Sequence, residues 1–354
     1  RETEPLTSMR SSDRLDSTAA VGPCHGFSPS AERLKLHNQP TDREINPAIR
    51  LTGSGSGMRC ASLVLTTMIV AAPGPAPLAQ ERPERPIFRS AVEIVSMAAV
   101  VRDKRGRVVP SLSREDFEVL DAGRPRSILD LRADVSAPAS IALLIDGSGS
   151  MMVGNTIDAA RIVAADMLNV LDQKRDEAAL FTFDRSLIEV HDFTNDFSPI
   201  RTRLEDLESY GTTSLYDAIA GTAKRIARFA KHRRAIVVLT DGADTSSVLT
   251  PAEVSGLASS IDVPVYVLAL EGADLPSRTP LADLARWTGG AFLPATTRVQ
   301  ALAAVRQVAQ ELRYQYVLAF EPAGSNGWRR VEVRTRRRDL TVRTRSWYLA
   351  GSSE

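Results

Sequence analysis

The sequence offers little of what usually signals redox, zinc or nucleophilic chemistry. In 354 residues it holds two cysteines, Cys24 and Cys60, and four histidines, His25, His37, His191 and His232. The histidines are scattered and match no zinc-ligand spacing. Both cysteines precede residue 80, so a chain beginning there has neither thiol nor disulfide and must be held together by its core. Cys60 also lies before the apolar run at 61–72 rather than after it, which does not suit a lipid-attachment cysteine. There is no G-x-x-x-x-G-K phosphate loop. Neither Ser148 nor Ser150 has glycine at both second neighbours, as the nucleophile turn of a serine hydrolase requires. An excess of one charge is missing too: 44 Lys and Arg stand against 43 Asp and Glu, and setting aside residues 1–79, which hold eight and seven, leaves 36 of each. A neutral chain has no global attraction for nucleic acid. The apolar run at 61–72 falls short of the roughly 18 residues of a membrane span.

What is present is organised around residues 140–151, SIALLIDGSGSM. Ile141, Ala142, Leu143, Leu144 and Ile145 form an unbroken apolar run, which reads as a strand buried on both faces. It passes directly into Asp146, Ser148 and Ser150, spaced by glycines that let the backbone turn sharply and aim three oxygens at one spot past the strand's carboxyl end. Small hard oxygens suit Mg²⁺, which takes six of them at about 2.1 Å and commonly keeps waters among them. On its own the motif reads equally well as a Ser/Gly turn joining a strand to a helix. Two later segments weigh against that. Residues 211–218, GTTSLYDA, set Thr213 at a helix start, and 235–242, AIVVLTDG, form a second apolar strand ending in Asp241 and Gly242.

An Asp-x-Ser-x-Ser run, a distant Thr and a distant Asp, in this order, resemble the metal-ion-dependent adhesion site of the von Willebrand factor A domain. The resemblance implies that Ser148, Ser150 and Thr213 touch the ion, while Asp146 and Asp241 hold its waters or bind it directly. It implies Mg²⁺, with Mn²⁺ or Ca²⁺ as alternatives. It also implies a protein partner whose acidic residue completes the coordination, because so few negative charges leave the ion under-neutralised. Asp217 and Asp244 read instead as helix-terminal or capping charges. A phosphoryl-transfer enzyme built on Asp146 would need a second acid near it and a lysine; Ser148 and Ser150 hold the adjacent positions, so catalysis is not expected.

Strands and helices alternate across 139–313, with helices expected at 155–171, 214–230, 251–260, 281–287 and 299–312 and strands at 178–183, 187–190, 235–240, 263–270 and 291–293. This alternation predicts an α/β, doubly wound, Rossmann-like and mostly parallel sheet of the A type, with its site at the carboxyl ends of the strands. The short turn at 184–186 makes 178–183 and 187–190 antiparallel neighbours. On either side lie β segments, 87–135 and 314–350, with strands expected at 92–101, 128–131, 314–320, 328–335 and 340–348 and a further β stretch at 112–120. Neither closes a sandwich comfortably alone, so the two are expected to pair and to carry the A-type domain as an insertion. Over 101–123 the pattern V-x-D-x-x-G-x-x-V followed by L-x-x-x-D-F-x-V-x-x-x-G resembles the N-terminal part of the acidobacterial von Willebrand factor A-related family of secreted proteins.

Residues 1–57 lack sustained periodicity, are rich in Ser, Thr and Pro, close on GSGSG, and are expected to be disordered. Residues 58–79 have the layout of a secretory signal: Met58 and Arg59, the short apolar run, then small residues ahead of Gln80. The expectation is that Met58 is the true start, that 1–57 is upstream sequence, and that the exported chain, periplasmic or extracellular and without a membrane span, begins near Gln80. At the other end Arg329, Arg330, Arg334, Arg336, Arg337, Arg338, Arg343 and Arg345 concentrate positive charge. Strand alternation sets Arg330, Arg334 and Arg336 opposite Val331, Val333 and Thr335, which predicts a solvated sheet face, with binding of acidic envelope polymers as its functional alternative. Trp328, Trp347 and Tyr348 read as core or edge cover. The sequence as a whole points to a secreted, non-enzymatic, Mg²⁺-dependent protein-binding module for adhesion or assembly. The alternatives are a structural envelope protein whose metal only holds loops, and a metal-dependent hydrolase.

Overall fold

Alternate burial builds the first strands of the chain. The computed structural model describes residues 94–133, 137–270, 279–324 and 327–351; the stretch 1–57 and the expected signal 58–79 lie outside the described residues. Strand β1 (Val95–Asp103) turns Val95, Met97, Ala99 and Val101 inward. It is followed by β2 (Phe117–Asp121), with Phe117 and Val119 inward, β3 (Arg124–Arg126) and β4 (Ile128–Ala133). The central part then runs β5 (Ala139–Asp146), α1 (Thr156–Val170), β6 (Glu177–Phe183), β7 (Leu187–Thr194), α2 (Ser198–Glu205), α3 (Leu215–Phe229), β8 (Arg233–Thr240), α4 (Pro251–Ser260), β9 (Val265–Ala269), α5 (Pro280–Trp287), β10 (Phe292–Pro294) and α6 (Arg298–Arg313). The chain ends with β11 (Gln315–Phe320), β12 (Gly327–Thr335), β13 (Leu340–Thr344) and β14 (Trp347–Ala350).

The central sheet has the order β10-β9-β8-β5-β6-β7, parallel throughout except for β7, which returns antiparallel to β6 across a tight turn. All eight residues of β5 are buried because helices cover both faces. Ile141, Leu143 and Ile145 pack with Met167 and Leu168 of α1 and Val305 and Val308 of α6. Ala142 and Leu144 pack on the other side with Ile219 and Ile226 of α3 and Val254 of α4. Helix starts follow their caps: the hydroxyls of Thr250, Thr279 and Thr297 accept from the amides of Glu253, Ala282 and Gln300. Pro251 and Pro280 sit where no intrahelical donor is needed. The fold is thus the mixed α/β one that the alternation predicts.

Two further sheets, β13-β1-β11-β4 and β14-β12-β2-β3, each mix strands from before and after the central sheet. β1 pairs with β11 and β13, and β12 pairs with β2, all antiparallel. Met97, Phe117, Val119, Tyr316, Leu318, Phe320, Val331 and Tyr348 fill the space between them. The flanking strands therefore share one core, and the central α/β part enters and leaves through β4 and β11. Its lower side is tied to the sandwich by Glu311 of α6, fully buried, which pairs with Arg102 of β1 at 2.8 Å and with Arg343 of β13.

Three details differ from the sequence expectation. Residues 340–348 are not one strand: β13 and β14 lie in different sheets. Arg345 breaks the run because its buried guanidinium donates to the carbonyls of Ser259 and Ser96, and the Ser346 amide donates to Trp287 O. Helix α2 was not expected, since only Ile200 and Leu204 mark its inner side. Among the arginines, Arg330, Arg334 and Arg336 are exposed as the alternation predicts, but Arg329 pairs with buried Asp121 at 2.8 Å, and Arg343 and Arg345 are structural. Tyr348 is core, and Trp328 lies over Gly256 of α4.

Candidate metal centre

The parallel strands β5 and β8 end side by side, Ile145 opposite Leu239, so the residues that follow, Asp146 and Thr240, meet at the carboxyl edge of the sheet. Thr240 Oγ1 donates to Asp146 Oδ2 at 2.6 Å, and Ser148 N donates to Asp146 Oδ1 at 2.9 Å. The same Thr240 oxygen accepts from Gly242 N at 3.0 Å, which fixes the turn carrying Asp241. Asp146 has no solvent exposure. Burial pushes its carboxyl up from the ordinary 3.8 to about 6, against the lowering effect of the Thr240 and Ser148 hydrogen bonds and with a further push from the negative charge of Asp241.

Ser148 and Ser150 bring their Oγ atoms to 3.0 Å of one another, Ser148 fully buried and Ser150 partly. Gly147 makes this turn possible by close approach: a Cβ there would stand 2.9 Å from Thr182 Oγ1 and 3.3 Å from Phe183 O. Its amide donates to Phe183 O at 2.8 Å, continuing the contact with β6. The loop before α3 is stapled onto this turn by Tyr210 N to Gly147 O, 2.7 Å, and Gly149 N to Gly211 O, 3.1 Å. Gly211 adopts φ +83°, a conformation that excludes a side chain without strain.

Thr213 follows two residues later. Its amide donates to Thr245 Oγ1 at 3.0 Å and its carbonyl accepts from the amides of Thr245 and Ser246. Its side-chain hydroxyl makes no hydrogen bond to another protein group among the described residues. Asp241 Oδ1 accepts from Ala243 N at 3.1 Å, and its charge is felt at Asp146. The structure therefore joins Asp146, Ser148 and Ser150 directly, sets Asp241 beside them, and brings the Thr213 loop against their turn through backbone bonds. Asp244 caps α3 by accepting from Leu215 N at 2.9 Å, and Asp217 accepts from the amides of Val248 and Leu249, so both have the structural roles expected of them. Thr240 and Thr182 carry no signal in the sequence: nothing in L-T-D-G shows that Thr240 faces Asp146, which only the β5–β8 register decides.

The donor set fits a small hard cation. Among the described residues, four carboxylates have no exposure at all: Asp121, Asp146, Asp176 and Glu311. Three are paired with arginine, Asp121 with Arg329, Asp176 with Arg313, and Glu311 with Arg102 and Arg343. Asp146 has no cationic side chain beside it among the described residues, and its neighbours are hydroxyls and another carboxylate. A buried carboxylate without a counter-charge is costly, and a bound cation removes that cost. No cluster of three His, Cys, Asp or Glu suited to a metal occurs among the described residues; the side chains gathered here are two carboxylates and neutral hydroxyls, all hard oxygen donors.

Residues 141–243 match the model of the von Willebrand factor type A domain. The chain carries such an A domain. No curated protein matches the sequence. Among solved structures, an aerotolerance-related membrane protein from Bacteroides fragilis, with multiple mutations to serines, is 18% identical at TM-score 0.40, covering 49% of this chain and 98% of that one. The D319A mutant of the PilB minor pilin from Streptococcus sanguinis is 16% identical at TM-score 0.41, covering 50% and 63%. Proximal thread matrix protein 1 from the mussel byssus, with a zinc-occupied MIDAS motif, is 16% identical at TM-score 0.44, covering 54% and 49%. Shared function does not follow from such likenesses. The A domain of this chain places Asp146, Ser148, Thr213 and Asp241 at one edge of its sheet, and no helix among the described residues is long and apolar enough to cross a membrane.

Proposed function

We propose that the protein is a secreted, metal-dependent protein-binding module of the adhesion or assembly type, in which Asp146, Ser148, Ser150, Thr213 and Asp241 form a Mg²⁺ site completed by a carboxylate of the partner. The observation that carries this reading is Asp146, wholly buried, unpaired with any cationic side chain among the described residues, and held by the Thr240 hydroxyl and the Ser148 amide, on the turn where the Ser148 and Ser150 hydroxyls meet. A cation bound there would supply a positive centre able to accept an oxygen from outside the chain. Asp146, held by Thr240 and Ser148, anchors it electrostatically; Ser148 and Ser150 offer neutral oxygens; Asp241 adds a second negative charge. Thr213 offers a neutral oxygen from the neighbouring loop. The binding needs no catalytic step. Secretion rests on the layout of residues 58–79, and kinship with the acidobacterial A-related proteins on the pattern over 101–123.

A purely structural metal is the less favoured reading, because protein hydrogen bonds already hold these loops: Tyr210 to Gly147, Gly149 to Gly211, Thr213 to Thr245, and Asp217 to Val248 and Leu249. Pull-down of proteins from the native extracellular fraction on immobilised protein distinguishes the two. Partners held in Mg²⁺, released by chelator and missing from Asp146→Asn beads are expected; partners that remain in chelator would overturn the metal-bridged mechanism.

A further inference from the structure

We infer that the candidate metal site is ringed by an apolar rim, made by Met152, Val153, Tyr210 and Val248, that recognises a peptide segment in which one acidic residue is flanked by large apolar side chains and then by basic ones. This rests on the metal-bridged reading above and specifies the partner. Among the described residues, five large apolar side chains are at least 60% exposed: Met152, Val153, Tyr210, Val248 and Val299. Val299 is on α6. The other four lie on the three loops that carry the proposed ligands. Met152 and Val153 come directly after Ser150, Tyr210 comes three residues before Thr213, and Val248 lies in the loop that Asp241 begins. Single exposed apolar residues are ordinary, but four of the five most exposed falling on the loops that carry one site's proposed ligands point to an interaction surface.

The backbone presents these side chains in fixed positions. Val153 is extended and is followed by Gly154 and Asn155 at φ +64° and +60°, while its carbonyl accepts from Thr156 Oγ1 at 2.8 Å. The Tyr210 amide is held by Gly147 O at 2.7 Å, and the Val248 amide by Asp217 Oδ2 at 2.9 Å. Little ordering is therefore needed when a partner covers them. A tyrosine on such a rim offers apolar area and a polar tip at low entropic cost.

Charge completes the specification. Residues 146–155, 184–186, 206–214 and 241–250 hold six carboxylates, Asp146, Asp184, Asp206, Glu208, Asp241 and Asp244, and one basic side chain, Arg185. Even a divalent cation leaves these loops negative, so a generally acidic partner is repelled. One carboxylate can reach the cation if its neighbours are apolar and the charges beyond them are positive.

A displayed library of random peptides, panned on the full chain in Mg²⁺ and again in EDTA, tests this. Peptides eluted by EDTA should carry a single Asp or Glu with large apolar residues within two positions and Lys or Arg outside them. Against the fourfold variant Met152→Ser, Val153→Ser, Tyr210→Ser and Val248→Ser, those peptides should bind at least about tenfold more weakly. Calorimetric Mg²⁺ affinity should be unchanged, which also shows that the variant is folded. EDTA-eluted peptides with polar neighbours, bound equally by the variant, would overturn the rim and leave the metal reading standing. Peptides that bind equally well in EDTA would overturn the metal-bridged reading on which the proposal rests. Mg²⁺-dependent self-association abolished by Asp339→Asn, in the exposed basic turn between β12 and β13, would place a second copy on the rim and overturn a separate partner.

Discussion

Asp146 combines complete burial with neighbours that cannot neutralise it, and this has a measurable pH signature. Its folded pKa of about 6 lies above the ordinary 3.8, so the metal-free folded state binds more protons than the unfolded one between those values. The stability that Asp146 contributes is fully present below about 4 and is lost as pH rises through 6, an effect of about 2–3 kcal/mol by pH 7. Asp146→Asn keeps an acceptor for Ser148 N and cannot ionise. In EDTA it is expected to be as stable as wild type near pH 4 and more stable at pH 7–8, by urea denaturation; saturating Mg²⁺ should reverse the order at pH 7–8. A stability difference between wild type and Asp146→Asn that stays constant between pH 4 and 7 in EDTA would contradict the buried, unpaired state of this carboxylate. The Asp146-x-Ser148-x-Ser150 run was legible in the sequence because it is local. The Thr240 partner was not, since a cross-strand contact depends on register.

Elements explain which segments could be read and which could not. Long apolar runs and strong caps located β5, β8, α4 and α6 to within a few residues, whereas α2 has only two buried apolar side chains and β3 is three residues long. The split between β13 and β14 hides behind continuous β-forming residues, and only Arg345, turned inward onto Ser259 and Ser96, reveals it. The connection from α5 to β10 is equally constrained. A Cβ at Gly290 would stand 1.9 Å from Val265 O, a backbone atom that cannot move without shifting β9. Gly290→Ala is therefore expected to destabilise the protein by about 3 kcal/mol or more in urea denaturation. A change below about 1 kcal/mol would mean that this connection is not packed as described.

On the scale of the molecule, the A domain and the sandwich depend on each other through few but buried contacts. Glu311 carries two arginines from the sandwich, Arg102 and Arg343, with no exposure of its own. Removing it leaves two partly buried guanidinium groups together without a carboxylate. Glu311→Ala is accordingly expected to cost about 3–5 kcal/mol and to increase hydrogen exchange in β1 and β13. Exchange confined to α6 would show that the two parts are not coupled there. The division into α/β domain and flanking β pieces was readable from the switch in periodicity, and so was their pairing, because neither piece could bury its apolar face alone. The two-sheet arrangement of the C-terminal strands was not, being fixed by contacts far apart in sequence. The central claim, that the carboxyl edge of β5 holds a divalent cation, is tested most directly by anomalous diffraction from crystals soaked in Mn²⁺. The account predicts a peak within about 2–2.5 Å of Ser148 Oγ and Ser150 Oγ, beside Asp146, that vanishes in Asp146→Asn. No peak at that position in the wild type at millimolar Mn²⁺ would contradict it.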